Sequence, residues 1–196
     1  MIPKISKITE LKENTSTASI FEELSQLSHL PENETSYLKR KLEKESDCSI
    51  LCPPNFNFYY KTKEEKEIYL QLEAARKAGS KLFDLLKAEK IETIQLLNLS
   101  KPELTVSFLE GLLLSCYSFD KYKKEKEDYS LKKIMLFKSD VKTAQIEEIQ
   151  NLTEAVFYSR NLVNEPLSFL TAPQFSAEIE KMGAKAGFNV EVFNKK

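Results

Sequence analysis

The sequence predicts an α/β fold with a largely parallel or mixed central sheet, and three observations lead to this. Short runs rich in aromatic and β-branched residues alternate with longer segments whose apolar residues recur at helical spacing. Proline and glycine stand at several junctions between these segments, where helices start and stop. No internal repeat interrupts the alternation. Strands and helices that alternate in this way bury their apolar faces by packing helices onto a sheet.

The candidate strands are short, and most are bounded by turn residues or charged segments. They are residues 2–9, 19–24, 48–52, 56–63, 91–97, 131–138 and 188–193. Residues 19–24 fit either a strand or a helix, because period alone does not decide so short a run. Residues 188–193 follow a proline-marked break at Pro166 and have no neighbouring strand in sequence, which indicates the start of a second unit.

Five helices are predicted, at residues 37–45, 64–89, 102–119, 143–163 and 173–186. Asn33 is the expected N-cap of the first helix, and Ser100 with Glu103 forms the start signal of the third. Gly187 is expected to end the last helix. The second helix has the clearest apolar face, with one small or aliphatic side chain at nearly every turn.

The composition is that of a water-soluble globular protein. Of 196 residues, 41% are hydrophobic and 30% are charged, and the formal net charge is -1. A chain this neutral has no overall bias toward nucleic acid or an anionic membrane. No apolar run approaches the roughly 18 residues that span a bilayer, and the three cysteines (Cys48, Cys52 and Cys116) are too sparse for a disulfide framework. We therefore expect a cytoplasmic protein without membrane partners.

We predict no catalytic, metal-binding or cofactor-binding residue in this segment. His29 is the one histidine, and a metal site needs several ligands. Cys48 and Cys52 lack a second Cys/His pair, so two thiols in or near a buried strand are the simpler interpretation. The glycines do not cluster as a phosphate-binding loop requires.

Three further patterns admit a functional and a structural interpretation. The lysines at 121, 123, 124 and 126 form a weak candidate for phosphate binding, because acidic residues interleave with them. The aromatic run of Phe56, Phe58, Tyr59 and Tyr60 suits base stacking, but a buried strand explains it more simply. The acidic pairs at 64–65 and 147–148 are interpreted as solvated helix faces.

Two segments carry distinctive motifs. Residues 110–122 end in Tyr117-Ser118-Phe119-Asp120-Lys121-Tyr122, similar to a Tyr-x-Phe-Asp-x-Tyr pattern that ends a helix of the leucyl aminopeptidase family. Residues 154–166 resemble the family's linker helix, and Leu170-Thr171-Ala172-Pro173 resembles the Leu-Thr-Pro stretch after it, with one extra alanine. Ser115 and Cys116 depart from the family, which commonly has alanine or glycine there.

The resemblance implies a domain plan. It implies a macro-like N-terminal α/β domain at residues 1–142, a linker helix at 143–165 and the beginning of a catalytic domain at 166–196. Intact members are implied to hold two divalent metals, zinc or manganese, and to remove N-terminal amino acids from peptides. The resemblance also implies that intact members assemble as homo-hexamers. The family's Asn-Thr-Asp-Ala-Glu-Gly-Arg motif does not occur before Lys196.

The expected function is therefore non-catalytic. The segment alone is expected to bind no cofactor and to hydrolyse no aminoacyl substrate, with its own catalytic domain and sister subunits as partners. If the segment is truncated, residues 163–193 are expected to be poorly packed or borrowed by a neighbouring molecule. The alternative is a stand-alone binding or regulatory module, for example for nucleic acid, which the near-zero charge disfavours.

Overall fold

The computed structural model describes residues 2–28, 30–52, 55–125, 129, 131–137 and 139–193. The chain divides into two compact units, Met1–Val156 and Phe157–Lys196. The division expected at residues 142 and 165 stays a prediction. Among the described residues, no helix combines the length and apolar character needed to cross a membrane.

The first unit contains a six-stranded mixed sheet. Its strands are β1 (Lys4–Ile8), β2 (Thr17–Phe21), β3 (Asp47–Cys52), β4 (Asn55–Lys61), β5 (Thr93–Leu99) and β6 (Lys133–Phe137). Their order across the sheet is β1-β6-β5-β2-β4-β3. Every neighbouring pair is parallel except β3 and β4, which are antiparallel. The predicted α/β class is confirmed.

The helices are α1 (Glu32–Leu42), α2 (Ile68–Ala88), α3 (Pro102–Ser115), α4 (Thr143–Asn164) and α5 (Ala172–Ala186), with a short 3₁₀ turn at Leu24–Leu27. The end of α5 at Gly187 is confirmed, since this residue adopts a left-handed φ of 82° and its N–H bonds to the Gly183 carbonyl.

Several predicted boundaries are wrong. Asn33 lies inside α1, whose N-cap is Pro31, and the N-cap of α3 is Lys101 rather than Ser100. In α3, Pro102 at the first turn already fixes a helical φ, so this helix begins without a capping side chain. Helix α3 ends at Ser115 instead of 119, and α2 begins only at Ile68.

The predicted strand at residues 188–193 is also wrong. These residues have neither helix nor strand geometry in the part of the chain that the structure describes. Alternating side chains give a preference for extended backbone, but a strand forms only when a neighbouring strand accepts hydrogen bonds from its N–H groups and donates to its C=O groups.

Apolar residues pack on both faces of the sheet. On one face Ile20, Phe58 and Ile134 are fully buried beneath α2, α3 and the first half of α4. On the other face Phe21 and Tyr59 pack with Leu38 of α1. Alternate residues of β2 and β4 therefore face opposite layers, as the two-residue period of a strand requires.

Helices α2 and α3 approach each other at the backbone. A Cβ on Gly79 would lie 2.0 Å from the Phe108 carbonyl oxygen, and one on Gly111 would lie 2.0 Å from the Arg76 carbonyl oxygen. Beside this crossing, Ser115 Oγ is 2.8 Å from the Gly111 carbonyl and 2.9 Å from Ser80 Oγ. Two of the four glycines thus serve helix packing.

Candidate docking surface and polar cleft

The cysteines do not form a reactive site in the described residues. Cys48 lies in β3 and is buried, and burial raises the pKa of its thiol. Cys116 follows α3, and burial raises its pKa to about 12. Both thiols are therefore protonated at neutral pH, and the thiolate that acts as nucleophile or metal ligand is scarce. The Cys52 side chain and His29 lie outside the described residues.

The aromatic run of β4 is structural. Phe56, Phe58, Tyr59 and Tyr60 are all buried, and the Phe108 ring of α3 stacks on Tyr60 with centroids 5.9 Å apart. Burial, and then the nearby Asp47 carboxylate, raise the pKa of Tyr60 to about 12. The buried-strand interpretation is confirmed, because no face of these rings is open to a base.

The lysine cluster is partly neutralised. Lys121, Lys123 and Lys124 are exposed, and the Lys123 ammonium lies 2.7 Å from an Asp120 carboxylate oxygen. Lys126 lies outside the described residues. Within the described ranges, no group of three or more His, Cys, Asp or Glu side chains is arranged to hold a metal ion. These residues therefore do not fit the metal pair that the family resemblance implies.

The second unit exposes an unusual number of large apolar side chains. We call them the apolar surface, and among residues 157–193 they are Val163, Leu167, Phe169, Phe175, Phe188, Val192 and Phe193. Val163 is 83% exposed and Leu167 is 85% exposed. Gly183 is the only buried residue in this described range. Residues 157–193 therefore bury few side chains in the described structure.

A groove runs through the apolar surface. Its volume is about 500 Å³, and its walls come from the last turns of α4 and the beginning of α5: Ser159, Leu162, Val163, Leu170, Ala172 and Phe175. Inside the second unit, the Tyr158 hydroxyl donates to the Glu178 carbonyl at 3.1 Å, which ties α5 to α4. Contiguous exposed apolar groups of this kind mark interaction sites on soluble proteins.

A separate polar cleft lies in the first unit, at the carboxyl ends of β5, β2 and β4. Its volume is about 550 Å³. The segments that leave these strands supply most of its charged side chains: Glu22 and Glu23 after β2, Lys61, Lys63, Glu64 and Glu65 at and after β4, and Lys101 after β5. Glu45 comes from the segment between α1 and β3.

Hydrogen bonds fix the walls of the cleft. The Gln26 side chain accepts from the Glu22 and Glu23 backbone N–H groups at 2.8 and 3.0 Å and donates to the Leu99 carbonyl at 2.7 Å. Ser100 Oγ is 3.2 Å from a Glu22 carboxylate oxygen. The Thr62 N–H donates to the Phe21 carbonyl at 2.8 Å. These hydrogen bonds join the three strand exits, by which we mean the segments that follow β2, β4 and β5.

The sequence did not predict the cleft, and it placed one acidic pair of the cleft in a helix. Glu64 and Glu65 precede α2 and line the cleft, so the interpretation as a helix face is wrong for them. Glu147 and Glu148 are exposed on α4, as expected. The cleft joins segments that are far apart in sequence, and the only available signal is the strand order, which no local pattern contains.

Residues 62–126 match the N-terminal domain of the cytosol aminopeptidase family. A probable cytosol aminopeptidase of Aquifex aeolicus is 30% identical over 128 residues, which are 62% of this chain and 25% of the relative. One from Persephonella marina is 24% identical over 193 residues, or 88% of this chain and 38% of the relative. The chain thus spans between a quarter and two fifths of the length of these relatives.

Two solved structures share the fold. A mutant of tomato leucine aminopeptidase superimposes with a TM-score of 0.75 at 12% identity, over 95% of this chain and 43% of that protein. The bottromycin maturation enzyme BotP, in complex with Mn, gives a TM-score of 0.62 at 14% identity, over 90% of this chain and 37% of that protein.

Proposed function

We propose that the chain is the non-catalytic N-terminal portion of a metal-dependent aminopeptidase, because residues 62–126 match the N-terminal domain of the cytosol aminopeptidase family. Its task is to dock a catalytic domain and to support assembly of the oligomer. The observation that carries this proposal is the apolar surface of residues 157–193.

The exposure of this surface supports a docking role. Val163 and Leu167 would each contribute about 2 kcal/mol if a partner covered them, at roughly 25 cal/mol per Å² of apolar surface. Left in water, the same surface favours association with whatever apolar face is available. A further domain could cover this surface, because more than half of each of the two solved neighbours lies beyond the shared fold.

The chemistry is assigned to that further domain. We propose that it holds the two divalent metals and acts on the N-terminal residue of peptides, as the names of the relatives and the manganese in the BotP structure support. The metals supply a Lewis acid and an activated water. For this chain we propose a cytoplasmic setting, a homo-hexameric parent and residues 166–196 as the beginning of the catalytic domain.

A two-chain reconstitution tests the docking role. The 196-residue chain is mixed with the C-terminal part of the Aquifex aeolicus relative, taken from the end of the matched region. We expect a complex in size-exclusion chromatography, and we expect hydrolysis of leucine p-nitroanilide with manganese or zinc only in preparations that contain the C-terminal part.

A matched pair of double variants locates the docking surface. Val163→Asp with Leu167→Asp should abolish the complex, because two buried carboxylates without partners would cost several kcal/mol. Ile68→Asp with Tyr69→Asp replaces two apolar side chains that are 55% and 62% exposed elsewhere, and should leave the complex intact. Hydrolysis by the purified chain alone, or unchanged binding of the first variant, would refute the proposal.

A further inference from the structure

The polar cleft occupies a special position in the sheet. The chain leaves β2 toward β3 and β4 on one side, whereas it leaves β5 toward β6 on the other. Adjacent parallel strands whose connections diverge in this way open a crevice outside their carboxyl ends, and ligands of open α/β sheets bind there. The cleft lies at this place, and its volume of about 550 Å³ is within the range of small-ligand sites.

The charged side chains of the cleft do not pair with opposite charges in the part of the chain that the structure describes. Among the described residues, no ion pair involves any of the five glutamates or three lysines that line it. Glu22 and Glu23 accept hydrogen bonds from serine hydroxyls. Within the described ranges, no hydrogen bond engages the side chains of Glu45, Lys63 and Lys101. Elsewhere in the first unit, long charged side chains do pair, as between Arg76 and Glu110 at 2.6 Å.

The mixture of signs defines the ligand class. The five carboxylates outnumber the three lysines, so the cleft disfavours a ligand rich in phosphate and favours an ammonium, while the lysines offer partners to a carboxylate. A ligand that carries both an ammonium and a carboxylate satisfies both sets. Leu42 and Leu104 also line the cleft and offer apolar contact to a side chain between the two charges.

We propose that this cleft binds a short peptide whose N-terminal amine and C-terminal carboxylate are both free. The amine is held by glutamates and the carboxylate by lysines. The hydrogen bonds that join the three strand exits keep these groups in place before the ligand arrives. This inference is independent of the docking role, because cleft and apolar surface belong to different units.

The test is a calorimetric titration of the full chain with leucyl-leucine, without any activity measurement. Leucyl-leucine should bind, and N-acetyl-leucyl-leucine and leucyl-leucine amide should each bind at least about tenfold more weakly, because each lacks one charged contact. ADP should not compete. Equal affinity for blocked and free peptides, tighter binding of ADP, or no binding of leucyl-leucine at millimolar concentration would each overturn the proposal.

Two substitutions assign the ends of the peptide. Lys101→Met should weaken leucyl-leucine but not its amide, and Glu45→Gln should weaken leucyl-leucine but not the N-acetyl form. Lys132→Met and Glu147→Gln remove exposed charges outside the cleft and should leave the affinity unchanged. Thermal unfolding of every variant separates loss of binding from loss of fold, and an effect of the control substitutions equal to that of the cleft substitutions would contradict the assignment.

Discussion

Residues 2–156 and 157–193 contain helices of similar length, but the helices of the first range bury most of their apolar side chains, whereas those of the second leave most of them exposed. Helix α3 buries Phe108, Leu109, Leu112 and Leu113 completely against α2 and the sheet. Helix α5 in the second unit buries Gly183 alone. Seven large apolar side chains are exposed in each range of described residues, although the second range has about a quarter of the length of the first. Secondary structure therefore forms without a complete core, and the core decides where stability is located.

The largest expected effect comes from truncating the same residue type in the two regions. Leu112→Ala should lower the free energy of unfolding by about 3 kcal/mol, because Leu112 is fully buried and its removal leaves a cavity. Leu167→Ala should change it by less than about 0.5 kcal/mol, since this side chain is 85% exposed. Urea denaturation followed by circular dichroism measures both. Similar losses for the two variants would contradict the comparison.

A smaller but still large effect is expected where α2 and α3 cross. Gly111→Ala adds a methyl group that meets the Arg76 carbonyl at 2.0 Å, so the helices must separate. Overpacking of this kind costs about 1–3 kcal/mol, and we expect the upper end because backbone atoms form the wall. Lys77→Ala, at an exposed position of α2, is the control. A gain in stability for Gly111→Ala would show that the crossing is not close-packed.

The smallest effect concerns the end of α5. Gly187→Ala should cost about 1 kcal/mol of local stability, because alanine resists the left-handed φ of 82° although open space surrounds the position. Hydrogen exchange should show faster opening of the last turn of α5, with exchange in the sheet unchanged. Gly187→Asn is the matched variant and should cost less, since asparagine tolerates this conformation. Equal protection in glycine and alanine forms would contradict the reasoning.

The parts of the fold that follow from local pattern were predictable from the sequence. The apolar spacing of α2 places six residues on one face: Ile68, Leu72, Ala75, Gly79, Leu82 and Leu86. The last four are buried, whereas Ile68 at the start of the helix is exposed. The break before α5 and its end at Gly187 also follow from the backbone preferences of proline and glycine. Such features depend on a few neighbouring residues, so their physical cause is contained in a short window.

The remaining features depend on partners that lie far away in sequence. The antiparallel direction of β3 is set by its pairing with β4, and the extended preference of residues 188–193 finds no strand to pair with in the described structure. The cleft exists because the segments that carry Glu22, Lys63 and Lys101 follow three adjacent strands, β2, β4 and β5, at the same edge of the sheet. These strands are far apart in sequence, so no short motif indicates the site.

The pairing of β1 with β6 has a consequence for how the protein is made. Ile5 lies opposite Ile134 in the sheet, so β1 leaves the ribosome long before β6, the strand with which it pairs. Until then β1 is an unpaired extended segment, and the closure of so long a loop is slow. We expect the nascent chain to acquire a complete sheet only after residue 137 has emerged, with the lysines of β1, Lys4 and Lys7, discouraging premature pairing with other chains.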